Sequence, residues 1–180
     1  MSNTSAAIKQ ETERKTWYAR KELIGIAQLG PDGTGVGPQL PDEPLLMFNR
    51  VVSIGEHGGK HDSGHVFAEL DVGPDSWFFG PHFRGDPVMP GCFQLDALWQ
   101  LAGFYLAWLG ARGKGRAREA SNLKLLAEIP PIEGVVRYEV DVERAHARPG
   151  KLAIVTADGA VFFDGVKTME VSKMKVVVMP

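Results

Sequence analysis

The sequence predicts an α+β fold in which a curved antiparallel sheet wraps around one long helix. Residues 92–110, CFQLDALWQLAGFYLAWLG, are apolar almost all the way round, which is typical of a helix enclosed by other elements. Strand-like segments lie on both sides of this helix and are joined by short turns, which favours antiparallel pairing. A sheet curved around the helix satisfies both patterns.

The elements before the long helix follow from local patterns. Residues 1–16 are polar and mixed in charge, and we expect a flexible arm there. Residues 17–30, WYARKELIGIAQLG, have near-helical apolar spacing and predict a short helix, followed by a loop rich in glycine and proline. LLMFNRVVSI (45–54) and HVFAELDV (65–72) predict a hairpin joined by the turn-rich GEHGGKHDSG.

The elements after the long helix are predicted to be strands. VVRYEVDVE (135–143) alternates between apolar and charged residues, so one of its faces is expected on the core. KLAIVTA (151–157), AVFF (160–163) and VKTMEVSKMKVVVM (166–179) predict further strands, separated by turns at HARPG, DG and FDG. GARGKGRA lacks the spacing of a Walker A loop and is interpreted as a helix stop with a basic turn. We predict a single domain over residues 17–180.

The composition narrows the class of protein. Hydrophobic residues make up 44% of the chain and charged residues 23%, as in soluble globular proteins. A net charge of -2 without long runs of one sign argues against a nucleic-acid partner, and the longest apolar stretch is too short and too interrupted for a membrane span. One cysteine cannot form an internal disulfide, and the polar N-terminal segment gives no sign of secretion. We therefore expect a cytoplasmic protein.

Asp96 and Gln100 are candidate site residues on the long helix. A carboxylate on the first turns of a buried helix has lost much of its water, so it must be paired, protonated or used in chemistry. Gln100 lies four residues later on the same face and is placed to orient the carboxyl group. The alternative is an ordinary first-turn aspartate stabilised by the helix dipole.

His82 and the start of the helix supply the other groups that an elimination requires. A histidine with a near-neutral pKa is suited to removing a proton, although a lone histidine in an apolar setting is also commonly structural. The backbone N–H groups of Gly91 and Cys92 begin the helix and are suited to binding an oxyanion. With Asp96 as the acid, these groups favour proton abstraction beside a carbonyl and loss of a neighbouring hydroxyl, which is a dehydration.

Cys92 and a set of three histidines are further candidates for reactive residues. Cys92 at a helix start invites a nucleophile interpretation, but a small buried packing residue is favoured because dehydration needs no covalent intermediate. His57, His61 and His65 recur every fourth position, as metal ligands on a helix would. The glycines between them favour a solvated hairpin instead, so a zinc site is the minor alternative.

Residues 77–117, WFFGPHFRGDPVMPGCFQLDALWQLAGFYLAWLGARGKGRA, resemble the 3-hydroxydecanoyl-acyl carrier protein dehydratase (FabA-like) family of bacterial fatty-acid synthesis. Members of this family both dehydrate and isomerise, and the resemblance continues weakly over most of residues 37–180. It implies a hot-dog fold and a homodimer whose sites are shared between subunits. It implies neither a metal nor an organic cofactor.

The resemblance assigns roles by motif position. His82 takes the C2 proton, Asp96 of the other subunit protonates the departing 3-hydroxyl, and the trans-2 product is then isomerised to cis-3. Gly91 becomes the oxyanion donor with the Cys92 N–H nearby, and the Val88 carbonyl holds the His82 ring. The implied medium-chain substrate, about 3-hydroxydecanoyl, is carried by acyl carrier protein.

Acyl carrier protein is acidic, so the resemblance also implies basic residues near the mouth of the site. Arg144 and Lys175 match basic positions of the family, and Arg148 and Lys151 are candidates from the same turn. The alternative for each of them is an ordinary solvated charge.

The chain departs from the family at several positions. Pro81 replaces a common cysteine, SNLKL (121–125) replaces a GEVKF-like segment, Phe93-Gln94 replaces a smaller pair, and the end KMKVVVMP is unusual. Two alternatives therefore stay open: a hot-dog acyl thioesterase, and a non-catalytic paralogue that binds acyl carrier protein.

Overall fold

The computed structural model describes residues 14–30, 33, 39–148 and 150–180. Residues 1–13 of the predicted arm lie outside the described residues, as does most of the loop after residue 30. The predicted short helix is confirmed as α1, Arg20–Leu29. Glu22 accepts the Ala19 N–H at its start (3.0 Å), and the Gly30 N–H donates to the Ile26 carbonyl at its end (2.8 Å). Trp17, expected on this helix, precedes it and is exposed.

The described residues form one six-stranded sheet in the order β1-β2-β4-β5-β6-β3, in which every neighbouring pair is antiparallel. The predicted first hairpin is confirmed, although its first strand begins five residues later than position 45. The strands are β1 (Arg50–Gly55), β2 (His65–Val72), β3 (Lys114–Leu125), β4 (Gly134–His146), β5 (Ala153–Phe163) and β6 (Val166–Met179).

The long helix α2, Gly91–Trp108, packs against β2 to β6 and is enclosed as predicted. Its buried residues include Leu98, Leu101, Phe104 and Leu106, which point in several directions around the helix. The alternating face of β4 meets this core, because none of its predicted inward residues is exposed: Val136, Tyr138, Val140 and Val142. The curved sheet around one long helix is a hot-dog fold.

Two predicted turns are wrong. Asp158-Gly159 lies inside β5, where the register with β6 shifts by a bulge, so the two strands predicted there are one. A Cβ on Gly159 would lie 2.8 Å from both Leu98 Cδ1 and Met174 Cε. Glycine stands at this position because α2 approaches the sheet closely, and not because the chain turns. The basic turn predicted within GARGKGRA (110–117) is wrong from Lys114 onward, where β3 begins and pairs with β6. The helix stop predicted there is confirmed, because α2 ends at Trp108.

Within the described residues, no helix combines the length and apolar character needed to cross a membrane.

Candidate active site

The His82 ring is held by its own turn. His82 Nδ1 lies 3.0 Å from the Val88 carbonyl oxygen, and the Val88 N–H donates to the His82 carbonyl at 2.8 Å. A carbonyl only accepts hydrogen bonds, so Nδ1 carries the proton of the neutral ring and the Nε2 lone pair is left for other partners. The ring also packs against Phe83, with 3.8 Å between ring centroids.

Backbone hydrogen bonds hold the turn that carries His82 at its tip and at its end. Phe83 and Asp86 exchange backbone hydrogen bonds of 3.0 and 3.1 Å across its tip. The Met89 N–H donates to the Ile129 carbonyl at 3.0 Å, which fastens the end of the turn to the segment after β3. The sequence between His82 and the helix therefore fixes where the imidazole lies relative to the helix start.

Helix α2 begins at Gly91 without a side-chain cap. The N-cap residue is Pro90, which accepts the Phe93 N–H at 3.0 Å. No described residue accepts a hydrogen bond from the N–H of Gly91 or Cys92. A Cβ on Gly91 would lie 2.9 Å from both methyl carbons of Leu125, so β3 covers this part of the helix start closely. Free N–H groups with the helix dipole behind them attract a developing negative charge.

His82 and Gly91 share a cavity of about 350 Å³, which we call the histidine cavity. Its wall also includes Val88 from the turn, Gln94 from α2 and Leu125 from β3. A proton acceptor and the free start of a helix therefore border the same space.

Asp96 lines a different space, the aspartate cavity, of about 170 Å³. Its Oδ2 accepts a hydrogen bond of 2.6 Å from Gln100 Nε2, the contact that the four-residue spacing predicts. Gln100 is itself fixed, because Nε2 also donates to the Leu45 carbonyl (2.7 Å) and Oε1 accepts the Met47 N–H (3.2 Å). The carboxyl group is half-buried and oriented.

A single chain does not bring His82 and Asp96 together. The histidine cavity lies at the start of α2, against the end of β3 that carries Leu125. The aspartate cavity lies against the beginning of β3, which contributes Arg116 to its lining. Each chain thus carries two separate cavities, one lined by His82 and the other by Asp96.

Cys92 is exposed, so its prediction as a buried packing residue is wrong. As the second residue of α2 its side chain points away from the sheet, and the helical period places the neighbouring Gln94 in the core instead.

His57 and His61 lie in the β1–β2 connection, and His65 is the first residue of β2. The rings of His61 and His65 make hydrogen bonds to protein groups, and His57 takes part through its backbone carbonyl. His65 contacts Ser53 Oγ through Nε2 (2.7 Å) and the His57 carbonyl through Nδ1 (2.8 Å). His61 Nε2 lies 3.0 Å from Asp158 Oδ2. Across the described part of the chain, no group of three or more histidine, cysteine or acidic side chains is arranged to hold a metal ion.

The four predicted docking residues lie towards one end of the sheet. Arg144 on β4 and Lys175 on β6 flank Thr156 of β5 in register, and Arg148 and Lys151 lie in the β4–β5 connection. Lys175 forms an ion pair with Glu119 on β3, whereas the other three side chains are exposed.

Three residues beside these cavities carry features that the sequence interpretation did not use. Gln94 is a buried amide in the histidine cavity, Leu125 covers Gly91, and Arg116 lines the aspartate cavity. Two departures from the family were available signals: Phe93-Gln94, which puts a polar side chain in an apolar helix, and SNLKL (121–125), which contains Leu125.

Six antiparallel strands curved around a long helix, with cavities at the helix start and along its side, define a hot-dog protein. Residues 40–172 match the FabA-like domain. Since the match spans more than half of the chain, this protein belongs to the FabA-like domain family, as the resemblance of residues 77–117 predicted.

Solved structures share the fold at low sequence identity. A chain of the dehydratase heterocomplex ApeI:P from Xenorhabdus doucetiae is similar with a TM-score of 0.56 and 15% identity, over 77% of this chain and 86% of that chain. The "putative thioesterase" from Shewanella oneidensis is similar with a TM-score of 0.50 and 15% identity, over 89% and 99%. At this identity the likeness establishes the fold and leaves the reaction open.

Proposed function

We propose that this protein is a 3-hydroxyacyl thioester dehydratase. The observation that carries the proposal is the histidine cavity, in which Val88 leaves His82 Nε2 free beside the uncapped start of α2. A base and an oxyanion-binding helix start are the two groups needed to form an enolate from a thioester. Membership of the FabA-like family supports the same reaction.

In the proposed reaction the thioester carbonyl accepts hydrogen bonds from the N–H of Gly91 and Cys92. His82 Nε2 takes a proton from C2, and the electron pair of the C–H bond moves toward the carbonyl. When the C2–C3 double bond forms, the C3–O bond breaks and the hydroxyl leaves as water with a proton from Asp96. Transfer of the C2 proton from His82 to Asp96, directly or through water, resets both groups.

The proposal requires two subunits, since His82 and Asp96 of one chain line different cavities. In a homodimer, the aspartate cavity of one subunit would face the histidine cavity of its partner. A two-fold axis would then produce two equivalent shared sites. The exposed start of β3 is a surface that a partner subunit would cover.

The finer parts of the proposal follow the family resemblance. Medium-chain substrates of about ten carbons would arrive on acyl carrier protein, with Arg144, Arg148, Lys151 and Lys175 as the basic docking side chains. Isomerisation of the trans-2 product to cis-3 would use the same two residues, moving a proton from C4 to C2. Of the four docking residues, Lys175 is expected to contribute least, because Glu119 neutralises it.

The first experiment incubates the purified protein with a 3-hydroxydecanoyl thioester and separates trans-2 from cis-3 decenoyl products. His82→Ala and Asp96→Asn are measured beside the wild type, and each is expected to lower kcat by about 100-fold or more. Formation of trans-2 product alone would restrict the proposal to dehydration. Release of the free acid without any enoyl product would contradict it and favour the thioesterase alternative.

A further inference from the structure

Gln94 is a buried polar side chain whose donor group has no assigned partner. The residue is only 2% exposed, and it lies on α2 one turn after Gly91. Its Oε1 accepts a hydrogen bond of 2.8 Å from Thr168 Oγ1. Among the described residues, none accepts a hydrogen bond from Gln94 Nε2, although this amide lines the histidine cavity.

In the structure the carbonyl end of the Gln94 amide faces Thr168. Thr168 is 1% exposed, and its Oγ1 lies 2.8 Å from Gln94 Oε1 and 3.3 Å from the Val161 carbonyl oxygen. The hydroxyl has one proton, and in the arrangement with the shorter contact it donates that proton to Gln94. With Oε1 placed at Thr168, the two N–H groups of Nε2 are available to an acceptor in the cavity.

Among the described residues, the buried side-chain polar atoms without a partner are Trp99 Nε1 and Tyr138 Oη, so Gln94 Nε2 is open to the histidine cavity and not sealed in the core. A donor in this position can exchange water for an acceptor on a ligand. The amide and its buried threonine partner therefore form a donor site in the cavity wall.

The chemistry of the cavity defines the acceptor. Among the described residues that line the histidine cavity there is no lysine or arginine, and Glu128 is one of them. Away from the helix start, an anionic group on the ligand would therefore meet no lysine or arginine side chain to neutralise it. The acceptor that fits a neutral amide beside an acidic residue is a neutral oxygen, such as a hydroxyl or a ketone.

The proposed reaction defines which carbons can carry this oxygen. The C1 carbonyl binds at the start of α2, C2 gives its proton to His82, and the oxygen on C3 leaves as water with a proton from Asp96. Gln94 lies one turn further along α2 than Gly91, in the wall of the same cavity. An oxygen that Gln94 holds without taking part in the reaction is therefore carried at C4 or beyond.

We propose that Gln94, positioned by Thr168, is a specificity residue that selects acyl chains carrying a neutral oxygen beyond C3. This inference rests on the proposed function for the direction of the acyl chain. It adds a substrate class to that function, namely 3-hydroxyacyl thioesters with a second, non-reacting oxygen. A site that hydrogen-bonds a substrate oxygen discriminates strongly against the analogue that lacks it.

The test measures binding without turnover. Pantetheine amides of decanoic acid and of 5-hydroxydecanoic acid have no 3-hydroxyl to eliminate, and their affinities are measured by calorimetry. The wild type is expected to bind the 5-hydroxy amide at least about tenfold more tightly than the saturated amide. Gln94→Met keeps the length of the side chain and removes the donor, so the ratio is expected to fall to near one.

Thr168 supplies the matched controls. Thr168→Val is expected to reduce the ratio of the two affinities without abolishing binding of the saturated amide. Thr168→Ser keeps the hydroxyl and is expected to keep the wild-type ratio. Thermal unfolding of each variant establishes that it is folded. A ratio near one in the wild type, a ratio unchanged in Gln94→Met, or no binding of either amide would overturn the inference.

The outcomes separate this inference from the proposed function. Dehydration of 3-hydroxydecanoyl thioester together with a binding ratio near one would retain the dehydratase and reject the role of Gln94. A ratio that depends on Gln94 in a protein that dehydrates no 3-hydroxyacyl thioester would retain the donor site and reject the dehydratase.

Discussion

At the scale of single residues, the site depends on side chains whose hydrogen bonds fix one orientation. Val88 fixes the tautomer of His82, and Gln100 fixes the carboxyl group of Asp96. In both cases a neutral group that does not react holds one that is proposed to react. Such positioning removes the need to reorganise polar groups when charge develops.

Gln100 is expected to act as a positioning residue for Asp96. Gln100→Leu removes the bond to Asp96 and leaves the Leu45 carbonyl and the Met47 N–H without their partner. We expect a loss of about 1 to 3 kcal/mol in the free energy of unfolding, because the part-buried hydrogen bonds to the Met47 N–H and the Asp96 carboxyl group are lost. We also expect kcat to fall by about tenfold or more with KM nearly unchanged, because only the proton donor is misplaced.

Urea unfolding and steady-state dehydration kinetics check both parts of this prediction. Gln28→Leu, on the exposed side of α1, is the control for a glutamine-to-leucine change outside the site. A destabilised Gln100→Leu variant with unchanged kcat would show that Gln100 is only structural.

The sequence predicted some of these residue contacts and missed others, for physical reasons. The four-residue spacing of Asp96 and Gln100 is a property of any helix, so their contact follows from the sequence. The Thr168–Gln94 bond joins β6 to α2, residues far apart in the chain, and no local pattern predicts it. Cys92 was interpreted as a buried packing residue because a dehydration needs no covalent intermediate, and that reason carries no information on burial. Burial at a helix end depends on which residues start the helix.

At the scale of elements, the segments with strong hydrophobic periodicity were predicted correctly, whereas glycines that lie inside strands were interpreted as turns. The long apolar helix and the alternating strand β4 have patterns that only one structure satisfies. The dipeptide Asp158-Gly159 is typical of a tight turn. In the structure the glycine leaves space for Leu98, and the Asp158 carboxylate contacts His61 of the β1–β2 connection. A dipeptide pattern cannot distinguish these two uses, because both depend on what packs above the strand.

Asp158 ties the β1–β2 connection to the sheet. Its Oδ2 accepts hydrogen bonds from Lys60 Nζ (2.7 Å) and contacts His61 Nε2 (3.0 Å), and its Oδ1 accepts the Lys173 N–H (3.2 Å). Burial alone would raise the pKa of this carboxyl group. The hydrogen bonds from Lys60, His61 and Lys173 outweigh the burial, so the pKa lies below its usual value of 3.8.

A lowered pKa makes the stabilisation by Asp158 depend on pH. The ionised carboxylate is favoured in the folded state, so its contribution is present above the unfolded-state pKa, near 3.8, and is lost as the pH falls through the lower folded-state pKa. At pH 7 we expect Asp158→Asn to lower the free energy of unfolding by about 1 to 3 kcal/mol. This difference should shrink below about pH 4.

Urea unfolding of the wild type and Asp158→Asn across this pH range tests the prediction. Asp75→Asn, at an exposed position, is the control for the loss of one surface carboxylate. A difference between wild type and Asp158→Asn that grows as the pH falls would have the wrong sign for this mechanism.

At the scale of the whole molecule, the proposed site is not contained in one chain. His82 and Asp96 of the same subunit line separate cavities at different parts of α2. We therefore expect His82 of one subunit to act together with Asp96 of its partner. Mixing variants that each lack one of the two groups tests this expectation.

The most direct test combines His82→Ala and Asp96→Asn subunits, each inactive alone, under conditions that allow subunits to exchange. A mixed dimer has one site with both changes and one site with neither. Because random exchange makes about half of the dimers mixed, we expect roughly a quarter of the wild-type dehydratase activity to return. The double variant His82→Ala/Asp96→Asn mixed with Asp96→Asn is the control, and it should stay inactive. Complete inactivity of the exchanged mixture, beside an active wild type treated identically, would contradict the shared site.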